Sequence, residues 1–106
     1  MLTVDLVYDL DCPNIEAARA NLRRAFANRG QPPGWREHRI GSAALPAYAR
    51  GYGSPTILVD GRDVAGSEPG SDACCRLYAG SEGTSGAPAV EQIAAALERA
   101  ARAARG

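Results

Sequence analysis

Three cysteines carry the most reactive chemistry in this sequence: Cys12, and the adjacent pair Cys74 and Cys75. A thiolate attacks disulfides and binds soft metal ions. Cys12 stands in Tyr8-Asp9-Leu10-Asp11-Cys12-Pro13-Asn14, between an alternating apolar stretch and a helical repeat. Pro favours the first turn of a helix, so Cys12 is expected near the N-cap. Unpaired helical N–H groups and the helix dipole would lower its pKa there. Asp9 and Asp11 act the other way, because nearby negative charge raises a thiol pKa. The alternative for Cys12 is a buried, inert thiol capping the helix. For Cys74 and Cys75 it is one sulfur packed in the core and the other facing solvent. An odd cysteine count speaks for chemistry or packing rather than for a disulfide framework.

The elements that must position these thiols follow from periodicity. Leu2, Val4, Leu6, Tyr8 and Leu10 alternate with Thr3, Asp5, Val7 and Asp9, the period of a strand. Ile15, Ala18, Leu22, Ala25 and Phe26 recur at helical spacing, with Glu16, Arg19, Arg23 and Arg24 on the outer face. Asn28-Arg29-Gly30 ends that helix. Trp35 to Ile40 is a second strand, parallel to the first, and Ser42 to Arg50 a short helix weakened by Pro46. Thr56 to Val59 is a buried strand, and Asp60-Gly61 is the dipeptide of a type I′ hairpin turn, with Arg62 to Ala65 returning antiparallel. Residues 66–86 are rich in Gly, Ser, Glu and Pro, with Cys75-Arg76-Leu77-Tyr78 as a short edge strand within them. Pro88 opens a final helix with Val90, Ile93, Ala94, Leu97 and Ala101 on its inner face.

The totals set bounds. A chain of 106 residues suits one domain, 1–106, with a modest core. The formal net charge of zero argues against nucleic acid as a partner, all basic residues being scattered Arg. No apolar run approaches membrane-spanning length and no basic leader precedes one, so a cytoplasmic protein without membrane partners is expected. His38, the only His, reads as a partly exposed strand residue, and a structural zinc site is not expected. Tyr8, Tyr48, Tyr52 and Tyr78 read as core or rim packing. Tyr52, just ahead of Pro55, is also a candidate for lining a substrate groove.

Ser54-Pro55 at the head of a strand, followed by a tight hairpin, resembles the cis-proline hairpin of the thioredoxin-like superfamily. Tyr8-x-x-Asp11-Cys12-Pro13-Asn14, Gly53 to Asp63, Cys75-Arg76-Leu77-Tyr78 and Gly86-Ala87-Pro88 together resemble a family of small bacterial thioredoxin-fold proteins. Some members are labelled thioredoxin-like, others alkylmercury-lyase-related. The resemblance implies an α/β fold, with a four-stranded mixed sheet and helices on both faces. It matches Cys12 and Cys75, with Cys74 an extra thiol. Ile15 replaces the second cysteine of the superfamily's Cys-x-x-Cys.

In that fold the hairpin returns the chain to the Cys12 end of the sheet, which nominates Cys75 or Cys74 as resolving thiol. Three functions are then open. A thiol-disulfide oxidoreductase would use Cys12 as nucleophile on a disulfide substrate or small thiol, with Ser54 and Pro55 presenting backbone to it. A heavy-metal protein would hold mercury or an organomercurial with Cys12, Cys74 and Cys75, and protonate carbon from Asp11 or Asp9; no other cofactor is implied. A non-catalytic interaction module, with a homodimer as one form of assembly, would have lost its dithiol.

Overall fold

The computed structural model describes residues 2–66, 78–80 and 83–105. β1 (Val4–Tyr8) leads through a tight turn to α1 (Ile15–Asn28), then to β2 (Arg36–Arg39). A single 3-10 turn follows at Ala47–Ala49, then β3 (Thr56–Val59) and β4 (Arg62–Asp63). β5 (Tyr78–Gly80), β6 (Gly83–Ser85) and α2 (Val90–Arg105) complete the chain.

A four-stranded mixed sheet is the centre of this α/β fold, in the order β2-β1-β3-β4. β1 runs parallel to β2, with Asp5 opposite Arg36 and Val7 opposite His38. It runs antiparallel to β3, with Val4 opposite Val59 and Val7 opposite Thr56. Asp60 (φ 50°) and Gly61 (φ 80°) turn β3 into β4, the two positive φ values that a type I′ turn demands. β5 and β6 form a separate antiparallel ribbon, unforeseen in a Gly- and Ser-rich stretch.

Both faces of β1 are covered, so Val4, Asp5, Leu6 and Val7 are all buried and the expected in-out alternation is lost. On one face Val4, Leu6, Ile57, Val59 and Val64 share an apolar cluster with Ala18, Leu22, Ala25 and Phe26 of α1. Ile93, Ala96 and Leu97 of α2 complete it. α1 and α2 thus lie on the same face, where helices were expected on both. The opposite face carries a thinner layer, in which Leu45, Ala49 and Tyr52 cover Val7 and Leu58. The expected helix over Ser42–Arg50 shrinks to the 3-10 turn because Pro46 is held extended (ψ 150°) and has no N–H.

Two contacts lock α1 in place. Arg19, expected on the solvent face, reaches β2 and grips Glu37 with two bonds, 2.9 Å from Nε and 2.7 Å from Nη2. It also pairs with Glu16 and lies 6.0 Å over the Tyr8 ring. The hydrogen bonds from Arg19, and then from Trp35, hold the Glu37 carboxyl below its ordinary range. Phe26 stacks on Trp35 at 6.3 Å, closing the far end of the core. The expected helix stop holds: Gln31 N–H reaches Phe26 O at 3.0 Å. No helix among the described residues is long and apolar enough to cross a membrane.

Candidate functional site

The Cys12 end of the sheet is built by one turn and one bond across the strands. Cys12 N–H closes the turn onto Asp9 O at 3.0 Å, and Asp11 N–H meets Asp9 Oδ1 at 3.3 Å. Asp9 N–H donates to Ser54 Oγ at 2.8 Å. The antiparallel register continues past Val7 and Thr56, so Pro55 falls level with Tyr8 and Ser54 with Asp9. Cys12, Ser54 and Pro55 therefore gather at one end of β1 and β3. The Ser54–Pro55 peptide is cis.

Cys12 differs from expectation in two respects. α1 begins at Ile15 and its N-cap is Asn14, whose carbonyl accepts the first helical bond from Ala18 N–H at 3.1 Å. Cys12 thus stands two residues ahead of the cap, with its own N–H held by the turn. It is also 7% exposed and in no disulfide. Leu10 beside it is 64% exposed, and Asp11 and Pro13 are exposed as well. Ser54 and Pro55 are fully buried, so neither offers an open backbone edge to a substrate. Cys74 and Cys75 lie outside the described residues, as do residues 75–77 of the expected edge strand; Tyr78 begins β5.

Tyr52 belongs elsewhere. It is buried against Val7, Leu45, Ala49 and Leu58. Its remaining surface lines a cleft of about 770 Å3 with Asp60, Arg62, Asp63, Arg99 and others, a lining that includes none of Cys12, Asp11, Ser54 or Pro55. Among the described residues no group of three or more His, Cys, Asp and Glu side chains is placed to hold a metal ion.

The polar centre that sequence reasoning missed is Asp5. Its carboxylate is 0% exposed and accepts three hydrogen bonds. Arg36 Nε donates to Oδ1 at 3.1 Å, His38 Nε2 meets Oδ1 at 2.8 Å, and Tyr48 OH donates to Oδ2 at 3.1 Å. Arg36 Nη2 also donates to the Tyr48 oxygen at 2.7 Å. Because a carboxylate only accepts, His38 carries its hydrogen on Nε2. Burial, and then the bond to Asp5, push the Tyr48 hydroxyl above its ordinary range, against a smaller pull from Arg36. The network lies on the sheet face opposite α1 and α2, where Tyr48 delivers its hydroxyl from the 3-10 turn. A sequence signal did exist: an Asp between Val4 and Leu6 in a central strand must find donors, and the neighbouring strand supplies Arg36 and the single His.

No family model matches the chain, and neither the curated proteins nor the solved structures provide a match to it.

Proposed function

We propose that this chain is a thioredoxin-like, thiol-dependent oxidoreductase whose nucleophile is Cys12. What supports this is the convergence of the Asp9–Cys12 turn and the cis Ser54–Pro55 peptide at one end of β1 and β3, joined by the bond from Asp9 N–H to Ser54 Oγ.

The chemistry balances as two exchanges. The Cys12 thiolate attacks one sulfur of the substrate disulfide, forming a mixed disulfide and expelling the other sulfur as thiolate. A second thiol, Cys75 or Cys74 or a small-molecule thiol, then attacks the Cys12 sulfur and releases the remaining substrate thiol. The substrate gains two electrons, and Cys12 is left in a disulfide, with Cys75 or Cys74 or with the small thiol, that an external dithiol reduces. Because Cys12 is buried, the first step requires local opening of the Asp9–Cys12 turn.

Turnover of a small aromatic disulfide by wild type, Cys12→Ser, Cys74→Ser and Cys75→Ser tests this. Loss in Cys12→Ser, with accumulation of a mixed disulfide when the resolving cysteine is replaced, is expected. Equal activity in all four removes thiol catalysis. A second reading, a non-catalytic interaction module on the same fold, draws on two observations: Cys12 caps no helix, and Ile15 occupies the position of a second cysteine.

A further inference from the structure

The segment between β2 and β3 has little secondary structure of its own. Ile40 N–H at its start still reaches Tyr8 O on β1 at 2.7 Å, and beyond it the backbone bonds are local: Leu45 N–H to Ser42 O, Ala49 N–H to Pro46 O and Arg50 N–H to Ala47 O. It is fastened to the sheet by Leu45, Ala49 and Tyr52 packing on Val7 and Leu58, by the Tyr48 hydroxyl on the buried Asp5 carboxylate, and at its end by the Thr56 hydroxyl donating to Gly53 O at 2.7 Å. Six residues after Tyr48 the same segment becomes Ser54, which holds the Asp9 amide next to Cys12. Asp5 and Asp9 are four residues apart on one extended chain, about 13 Å, so Asp5 does not touch the thiol. The 3-10 segment connects them.

We infer that Asp5 is a positioning residue for the Cys12 end of the sheet: through Tyr48 it fixes residues 42–53, and thereby Ser54 and the Asp9–Cys12 turn. The consequence for the thiol rests on the thiol-chemistry reading of Cys12; the consequence for the Asp9 amide does not. A buried carboxylate on β1, bonded by the neighbouring strand β2 and by one loop, is well suited to this task. Its orientation is fixed by Arg36 and His38 on the sheet side, leaving Oδ2 as a rigid anchor for the loop. Arg36 braces the loop end of the anchor by bonding the Tyr48 oxygen as well.

Tyr48→Phe removes the anchor bond and keeps the ring. Hydrogen exchange read at single amides then distinguishes local release from general loosening. The Asp9 amide should exchange about five- to tenfold faster, the size expected for one lost hydrogen bond, while the Leu6 and Ile57 amides stay unchanged relative to each other. Alkylation of Cys12 by a small maleimide should accelerate by a similar factor, since both events require the same opening. In an Asp5→Ala background the Tyr48→Phe change should add little, because the acceptor of its hydroxyl is already gone. An unchanged Asp9 amide, equal acceleration of every amide, or faster Asp9 exchange without faster Cys12 alkylation would each overturn the inference. Undiminished turnover in Cys12→Ser would instead overturn the catalytic reading, and leaves the Asp9 prediction standing.

Discussion

Replacing Asp5 by Ala would leave three donors facing an empty place. Their exposure decides the loss. Arg36 is 60% exposed and Tyr48 43%, so water takes over most of their bonding. An exposed pair of the Arg36 kind contributes about 0–1 kcal/mol. His38 is only 15% exposed, and its 2.8 Å bond to a charged acceptor is the main term, about 1.5–3 kcal/mol. Removing Asp5 also removes its own desolvation cost, which offsets part of this. The expected destabilisation is about 2–4 kcal/mol for Asp5→Ala and about 1–2 for Asp5→Asn, which keeps one acceptor. Tyr48→Phe should cost about 0.5–1.5 kcal/mol and Arg36→Gln less still. Urea denaturation followed by circular dichroism reads these values, provided the m-value is unchanged. In a domain of this size each kcal/mol lowers Tm by about 4–8 °C. Should Asp5→Ala fall within about 0.5 kcal/mol of wild type, or Arg36→Gln cost as much as Asp5→Ala, the assignment of the network's strength to burial is wrong.

Glu37 ties stability to acid. Its carboxyl is held below the ordinary value of 4.5, chiefly by Arg19, so the stabilisation is present above that value and disappears as pH falls toward the folded one. Denaturation midpoints measured from pH 6 down to 3 should therefore fall less steeply in Arg19→Gln than in wild type; parallel curves would exclude the linkage. At Gly86 an added Cβ would collide with the Asn14 side chain at the start of α1. Gly86→Ala should cost about 1–3 kcal/mol by overpacking, and much less in an Asn14→Gly background; additive costs in the double variant would show that the two positions do not meet.

Much of the frame was legible because it follows from period and turn chemistry. The apolar repeat from Ala18 to Phe26 set the buried face of α1, with Ala18, Leu22, Ala25 and Phe26 all buried. Ile93 and Leu97 did the same for α2. Asp60-Gly61 located the hairpin because few other dipeptides accept two positive φ values. Asp5 escaped notice because alternation distinguishes inside from outside only when one sheet face is wet. Here a loop layer too short on periodicity to announce itself covers the second face. The same layer explains the misplaced helix, since one Pro at position 46 decides between an α-turn and a 3-10 turn. Cys12 is expected near the cap because Pro13 commonly opens a helix. The chain inserts an extra turn closed on Asp9, whose own amide is held by Ser54, a tertiary bond that local sequence does not announce.

The outer margins of the four-stranded sheet are poor templates for strand addition. One margin is β2, four residues reading Arg-Glu-His-Arg; the other is β4, two residues long. Charge on the first, with two of its side chains drawn inward to a carboxylate, and brevity on the second deny a neighbour the flat hydrogen-bonding ledge that strand addition needs. Growth of this sheet from molecule to molecule is thereby discouraged at both ends.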